Sequence, residues 1–155
     1  MDIFKEIKKE HDEFKKMAKK INATTKRAIK TRTDSFSKLK LELTAHHQAE
    51  EEVLVPALKE NKATRKMGLE IIEEHRILDK LMAELQSLAV DDETWSVKFK
   101  VFSEIMEKHT DEEENEISKK AHGEFKQKKL DKLGDQFEEE DKKIAKQLKN
   151  KKQVK

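Results

Sequence analysis

The chain has 155 residues, enough for one domain around a single core, and its 33 acidic residues nearly cancel 35 basic ones to a net charge of +2, which argues against a nucleic-acid binder. It contains no cysteine, which excludes disulfides, thiolate nucleophiles and iron–sulfur ligation and leaves nitrogen and oxygen as the donors for any metal. No apolar run approaches the roughly 20 residues that span a bilayer, and the opening MDIFKEIKKE alternates charge with apolar residues where a signal peptide needs a continuous apolar stretch, so a cytoplasmic location away from the membrane is expected.

Three glycines, one proline and few β-branched runs leave little strand or hairpin punctuation, while apolar residues recur at helical spacing almost throughout. The first predicted helix runs from about Asp2 into the twenties, with Phe4, Ile7, Phe14, Ala18 and Ile21 on one face and His11 in that stripe. The second follows the polar stretch KTRTDS, where Asp34 or Ser35 is the expected cap, and its stripe reads Phe36, Leu39, Leu43, His46, Glu50, Val53 and Ala57. Pro56 lies inside it and should bend it just past the polar positions. The third starts near Thr64 and presents Gly68, Ile71, His75, Leu78, Met82 and Leu85. The fourth starts after Asp91 and Asp92 and runs from Trp95, Phe99, Phe102 and Ile105 to His109, Glu113 and Ile117. A fifth segment, from about Lys126 to Lys149, carries Leu130, Leu133, Phe137, Ile144 and Leu148 and is expected to pack on the others or stand partly free. The chain then ends in lysines: seven of them and no acid lie between Lys142 and Lys155, which reads as a solvated helix end.

Short connections between four such helices imply an all-α, up-down-up-down antiparallel four-helix bundle with an additional C-terminal helix. Residues 1–122 form the expected metal-binding bundle, and 123–155 the C-terminal helix and lysine-rich tail of the same domain.

Each of the first four stripes carries one histidine, and two of them add a glutamate one turn later: His11, His46 with Glu50, His75, and His109 with Glu113. Residues four apart on a helix share a face about 5 to 6 Å apart, so each HxxxE pair can aim a nitrogen and a carboxylate at one point. The intervals between successive histidines are 35, 29 and 34 residues, similar enough for antiparallel helices to bring them to a comparable depth. Four imidazoles and two carboxylates exceed the needs of one tetrahedral ion. Two metals bridged by both carboxylates would each receive two nitrogens and two oxygens, and with a solvent bridge one position stays open, a donor set that suits non-haem iron best, then manganese or zinc. Two unpaired carboxylates in a core would cost several kcal/mol each, and no Lys or Arg sits in the stripes to offset them.

These six residues, with the flanks HHQAEEEVLVPAL, EEHRILDKLMAEL and KHTDEEENEI, resemble the hemerythrin-like HHE cation-binding family, over about Ile3 to Ile117 and on into LDKLGDQFEEE. The resemblance implies a diiron centre in an antiparallel bundle, with Glu50 and Glu113 as bridging carboxylates and His11, His46, His75 and His109 as terminal ligands. Oxygen-carrying hemerythrins supply two histidines four residues apart from the third helix; here the positions four before and four after His75 are Ile71 and Asp79. The four-histidine pattern is closer to bacterial-type members linked to oxygen, peroxide or nitric oxide response and to iron handling. The expected partner is thus a small diatomic ligand or peroxide, with no nucleic acid. The functions left open are ligand binding or sensing, an enzyme that reduces peroxide or oxidises iron, and iron storage or donation.

The neighbouring polar residues are expected to play smaller parts. His47, about 100° around the helix from His46, belongs at the rim or behind a ligand, or else replaces the missing histidine. Glu51, Glu52 and Glu114 read as solvated charge, and Glu74 as a hydrogen-bond partner beside His75. His122, next to Gly123, fits a glycine-capped helix C-terminus. Met17, Met67, Met82 and Met106 read as core filler and Trp95 as the anchor of the fourth helix. No histidine has a glutamate three residues before it, which sets the chain apart from ferritin-like Glu-x-x-His bundles, and no P-loop, GxGxxG or HExxH is present.

Overall fold

A computed structural model of the chain describes the backbone of residues 1–154 and the side chains of residues 1–151. Lys155, and the side chain of Lys152, lie outside the described residues of the terminal lysine run. All regular structure among the described residues is helical: α1 (Ile3–Asn22), α2 (Ile29–Glu60), α3 (Arg65–Ser87), α4 (Glu93–Glu112), a π-helical turn (Glu113–Ile117), α5 (Ser118–Glu124) and α6 (Gln127–Val154). No described helix is long and apolar enough to cross a membrane.

α1 packs on α2, α2 on α3, α3 on α4 and α4 back on α1, which closes a four-helix ring, and α6 lies along α1 and α2. The helix starts follow local chemistry. Asp2 caps α1 by accepting the Phe4 amide at 2.8 Å, and Asp92 caps α4 by accepting that of Thr94 at 2.7 Å. Thr64 precedes α3 as expected, but its buried hydroxyl donates to the Leu58 carbonyl at 2.7 Å and so ties α3 to the end of α2.

α2 begins at Ile29, earlier than Asp34 or Ser35, both of which lie within the helix. The reason is Arg32, which is buried although it belongs to the polar stretch. Its guanidinium donates to the Thr24 hydroxyl at 2.8 Å, the Thr24 carbonyl at 3.0 Å and the Val90 carbonyl at 2.6 Å, and it lies 5.2 Å over the Trp95 ring. Those bonds hold the KTRT segment against α4 and recruit it into the helix. Pro56 sits on the exposed side of α2, which continues through it to Glu60.

α6 is seated by a close approach of backbones. A Cβ on buried Gly134 would lie 1.8 Å from the Met1 carbonyl oxygen and 2.9 Å from the Ile3 nitrogen, so the chain start can meet α6 only across a glycine. The Met1 ammonium lies 3.3 Å from Asp135 beside it. No glycine caps a helix through a positive φ among the described residues, and α5 runs past Gly123 to Glu124 with Phe125 as its cap. His122 instead donates from Nε2 to Asp2 at 2.7 Å, which pins α5 to the start of α1.

The apolar core has two parts. One is built on Ile3, Ile7, Ala49, Leu54, Ile71 and Ile117, the other on Phe14, Leu39, Leu43, Leu78, Phe99 and Met106. Along every one of the four bundle helices the ligand-type residues fall between these two layers.

Candidate metal centre

His11, His46, Glu50, His75, His109 and Glu113 all converge between the two layers, and none is more than 3% exposed. His47 joins them. Three sets of donor atoms lie within 4.8 Å of one another: His11, His46, Glu50 and Glu113; Glu50, His75, His109 and Glu113; and His47, His75 and His109. Glu50 and Glu113 belong to both four-residue sets, so the arrangement has two halves sharing two carboxylates. The histidines divide unequally, with His11 and His46 in one half and His75, His109 and His47 in the other.

The donors approach one another closely. His46 Nε2 lies 2.7 Å from Glu50 Oε1, His11 Nε2 lies 3.2 Å from His46 Nε2, and His109 Nε2 lies 3.2 Å from Glu113 Oε2. His11 Nε2 is 3.5 Å from Glu113 Oε1, and His75 Nε2 is 3.7 Å from Glu50 Oε1. Two donors about 2.1 Å from one dication stand about 3.0 Å apart at a right angle and about 3.4 Å apart at a tetrahedral angle, so these separations suit shared ligation. Both carboxylate oxygens of Glu50, both of Glu113, and Nε2 of His75 and His109 are buried with no hydrogen-bond partner. Buried polar atoms are normally satisfied, and six orphans aimed at one place fit bound cations.

The outward nitrogens are all engaged. Each Nδ1–H donates to a carboxylate: His11 to Glu114 at 3.1 Å, His46 to Glu10 at 2.7 Å, His47 to Asp79 at 3.0 Å, His75 to Glu51 at 3.0 Å, and His109 to Glu74 at 2.6 Å. Such a bond fixes the ring orientation and leaves Nε2 as the inward nitrogen. Four of these bonds run in a ring: α1 supports a donor of α2, α2 one of α3, α3 one of α4, and the π-helical turn after α4 one of α1, while Asp79 on α3 reaches back to His47 on α2. Glu114 is in turn flanked by Lys8 at 3.6 Å and Lys15 at 3.8 Å.

Glu51 and Glu114 are therefore supports of the site rather than solvated charge, and Glu74 supports His109 on α4 rather than its own neighbour His75. The π-helical turn beginning at Glu113 helps here. Its wider turn separates successive side chains by a smaller angle, so Glu113 can face the centre while Glu114 reaches His11. His47 and Glu10 were the residues the sequence showed least clearly. The signal for His47 was Asp79, a carboxylate standing one turn after His75 in place of the second histidine.

Without cations the charges compensate only among themselves. Burial pulls the His109 pKa down, but Glu113 and Glu74 outweigh it and push it up to about 10. Burial likewise opposes the charged form of His46, yet Glu50 and Glu10 hold it well above the usual imidazole range. Burial opposes Glu50 ionisation, which His46 outweighs, so Glu50 lies well below the usual carboxylate range. Glu113 is raised by burial and by the Glu50 charge. His47 goes the other way. Burial and its imidazole neighbours His75 and His46 hold it well below the usual range, so it is neutral and its inward nitrogen has a free lone pair.

The hemerythrin HHE cation binding domain family model matches residues 2–121. No curated protein and no solved structure matches the chain. With the family matched from α1 through the π-helical turn into α5, and the histidines and glutamates gathered at one buried point, the chain belongs to the hemerythrin HHE cation binding domain family.

Proposed function

We propose that the protein is a non-haem diiron protein that binds or responds to dioxygen, nitric oxide or peroxide. The observation that carries this reading is the pair of four-residue donor sets sharing Glu50 and Glu113, whose inward oxygens have no other partner. Ferrous iron, when bound, supplies an electron-rich centre with a coordination position open to a small ligand.

The residues of the chain divide the work. Glu50 and Glu113, common to both donor sets, would be shared by two metal ions; His75, His109 and His47 would hold one ion and His11 and His46 the other, whose smaller donor set would leave room for a ligand on the α1 side. Next to it the Phe14 and Phe137 rings meet His46 edge-on, with centroids 5.1 Å and 5.4 Å away. That wall keeps bulk water from the His46 side of the centre. The apolar layers on both sides and the burial of every donor favour retention of iron, which speaks against a storage or donor role.

Stopped-flow mixing of the anaerobic diferrous protein with dioxygen, nitric oxide or hydrogen peroxide tests the reading. A binding or sensing protein takes up about one equivalent and then stops. Sustained consumption of peroxide or of ferrous iron over many equivalents would replace it with an enzymatic role.

A further inference from the structure

α6 lies beyond the residues matched by the family model, yet it reaches the candidate metal centre. Its inward stripe reads Leu130, Leu133, Phe137, Asp141, Ile144 and Leu148, so an acid occupies a position whose helical neighbours are core side chains. The same anomaly marks the histidines of the other helices. Phe137 places its ring edge-on to His46. One turn further, Asp141 is hydrogen-bonded to Glu10, the carboxylate that takes the His46 Nδ1 proton at 2.7 Å.

Two adjacent, half-buried carboxyls do not both ionise readily, and here the proton has a defined place. Burial and the neighbouring Glu10 push Asp141 up to about 8. Glu10 already takes the His46 Nδ1 proton, and two carboxyls in hydrogen-bond contact need one proton between them, so Glu10 is the acceptor of both bonds and Asp141 a donor.

We infer that α6 is a fifth wall of the metal centre, in which Asp141 acts as a positioning residue: it donates to Glu10 and so fixes the ring of His46 on the side with the open position. The inference rests on the reading of His46 as a metal ligand. It joins α6, through Glu10, to events at that ligand. Of the four ring carboxylates, Glu10 is the one braced from outside the matched domain.

The test compares the full-length protein with Asp141→Asn, which keeps a donor for Glu10, and Asp141→Ala, which does not. In the metal-free protein, NMR detection of the His46 Nδ1 proton reads its exchange with water. Exchange should be at least about tenfold faster in Asp141→Ala and near the wild-type rate in Asp141→Asn. In the iron-loaded protein, loss of iron to a chelator should accelerate by about 10- to 100-fold in Asp141→Ala and be restored in Asp141→Asn. Asp141→Ala behaving as wild type in the NMR measurement would overturn the inference, as would Asp141→Asn behaving like Asp141→Ala. The metal-free arm decides the question even if the chain takes up no iron, so failure of the diiron reading and failure of this one are distinguishable.

Discussion

Asp79 Oδ1 on α3 lies 3.0 Å from Nδ1 of His47 on α2. Asp79 stands one helical turn after His75, where a second histidine from the same helix would otherwise face the centre. A histidine from the neighbouring helix fills that place, and the carboxylate turns from vacancy into support. The ring of His47 stacks on His75 with centroids 3.9 Å apart, which brings the two imidazoles to the same half of the site.

His47→Ala should therefore cost one of two metal ions more than the other, giving between one and two per chain after dialysis. Asp79→Ala keeps the imidazole but frees its orientation, and should weaken metal affinity by about 10- to 100-fold. Metal analysis of the dialysed variants checks both. Full retention by His47→Ala would return His47 to the rim of the site.

Glu50→Ala should lose most of the metal and His75→Ala part of it, because the carboxylate is shared by both donor sets and the imidazole belongs to one half. The metal-free protein gives a complementary readout. Glu113 is fully buried beside Glu50 and is the main charge that lifts His109 to about 10, so Glu113→Gln should bring the His109 pKa down in the metal-free protein while lowering metal uptake. NMR titration of the histidines in chelator, with and without the substitution, measures the first effect.

The pH dependence has a definite sign. In the metal-free protein His109 is raised from 6.5 to about 10, and His46 and His75 are also raised, burial being outweighed in each case by the neighbouring glutamates. A raised folded-state pKa contributes stability that is complete below the unfolded value and lost as pH rises through the folded one. The metal-free protein should thus become less stable between about pH 6.5 and 10. In the loaded protein the imidazoles are already neutral ligands, and acid should release metal as they protonate. Unfolding midpoints with and without chelator across this range should diverge as pH rises.

Gly134→Ala tests the seating of α6. The new methyl would collide with the Met1 carbonyl, a backbone group with little room to move, and should cost about 1–3 kcal/mol. Amide hydrogen exchange should rise in α6 and at the start of α1 before it rises in α3 or α4. Unchanged exchange in α6 would show that the N-terminus, not the helix, had yielded.

The bundle and the convergence of the six candidate donors were legible because a histidine or glutamate in an apolar stripe is a local anomaly, visible from one helix at a time. The supports were not, because each acts across a helix interface. Glu10, Glu51, Glu74 and Glu114 each stand next in sequence to a ligand, about 100° around the helix, and that angle reads as solvent until the neighbouring helix is in place. The early start of α2 was hidden for the same reason. Arg32 looks like part of a polar linker, and its partners Thr24, Val90 and Trp95, the last two far along the chain, show why it is buried.

The central claim is that Glu50 and Glu113 join two iron sites within one bundle. The most direct measurement is the iron content per chain, with the optical spectrum, of protein loaded with ferrous iron without oxygen and then exposed to air. About two irons per chain with near-ultraviolet absorption from oxo-bridged ferric iron is the predicted result. One iron per chain, or none, in a bundle that remains folded would contradict it.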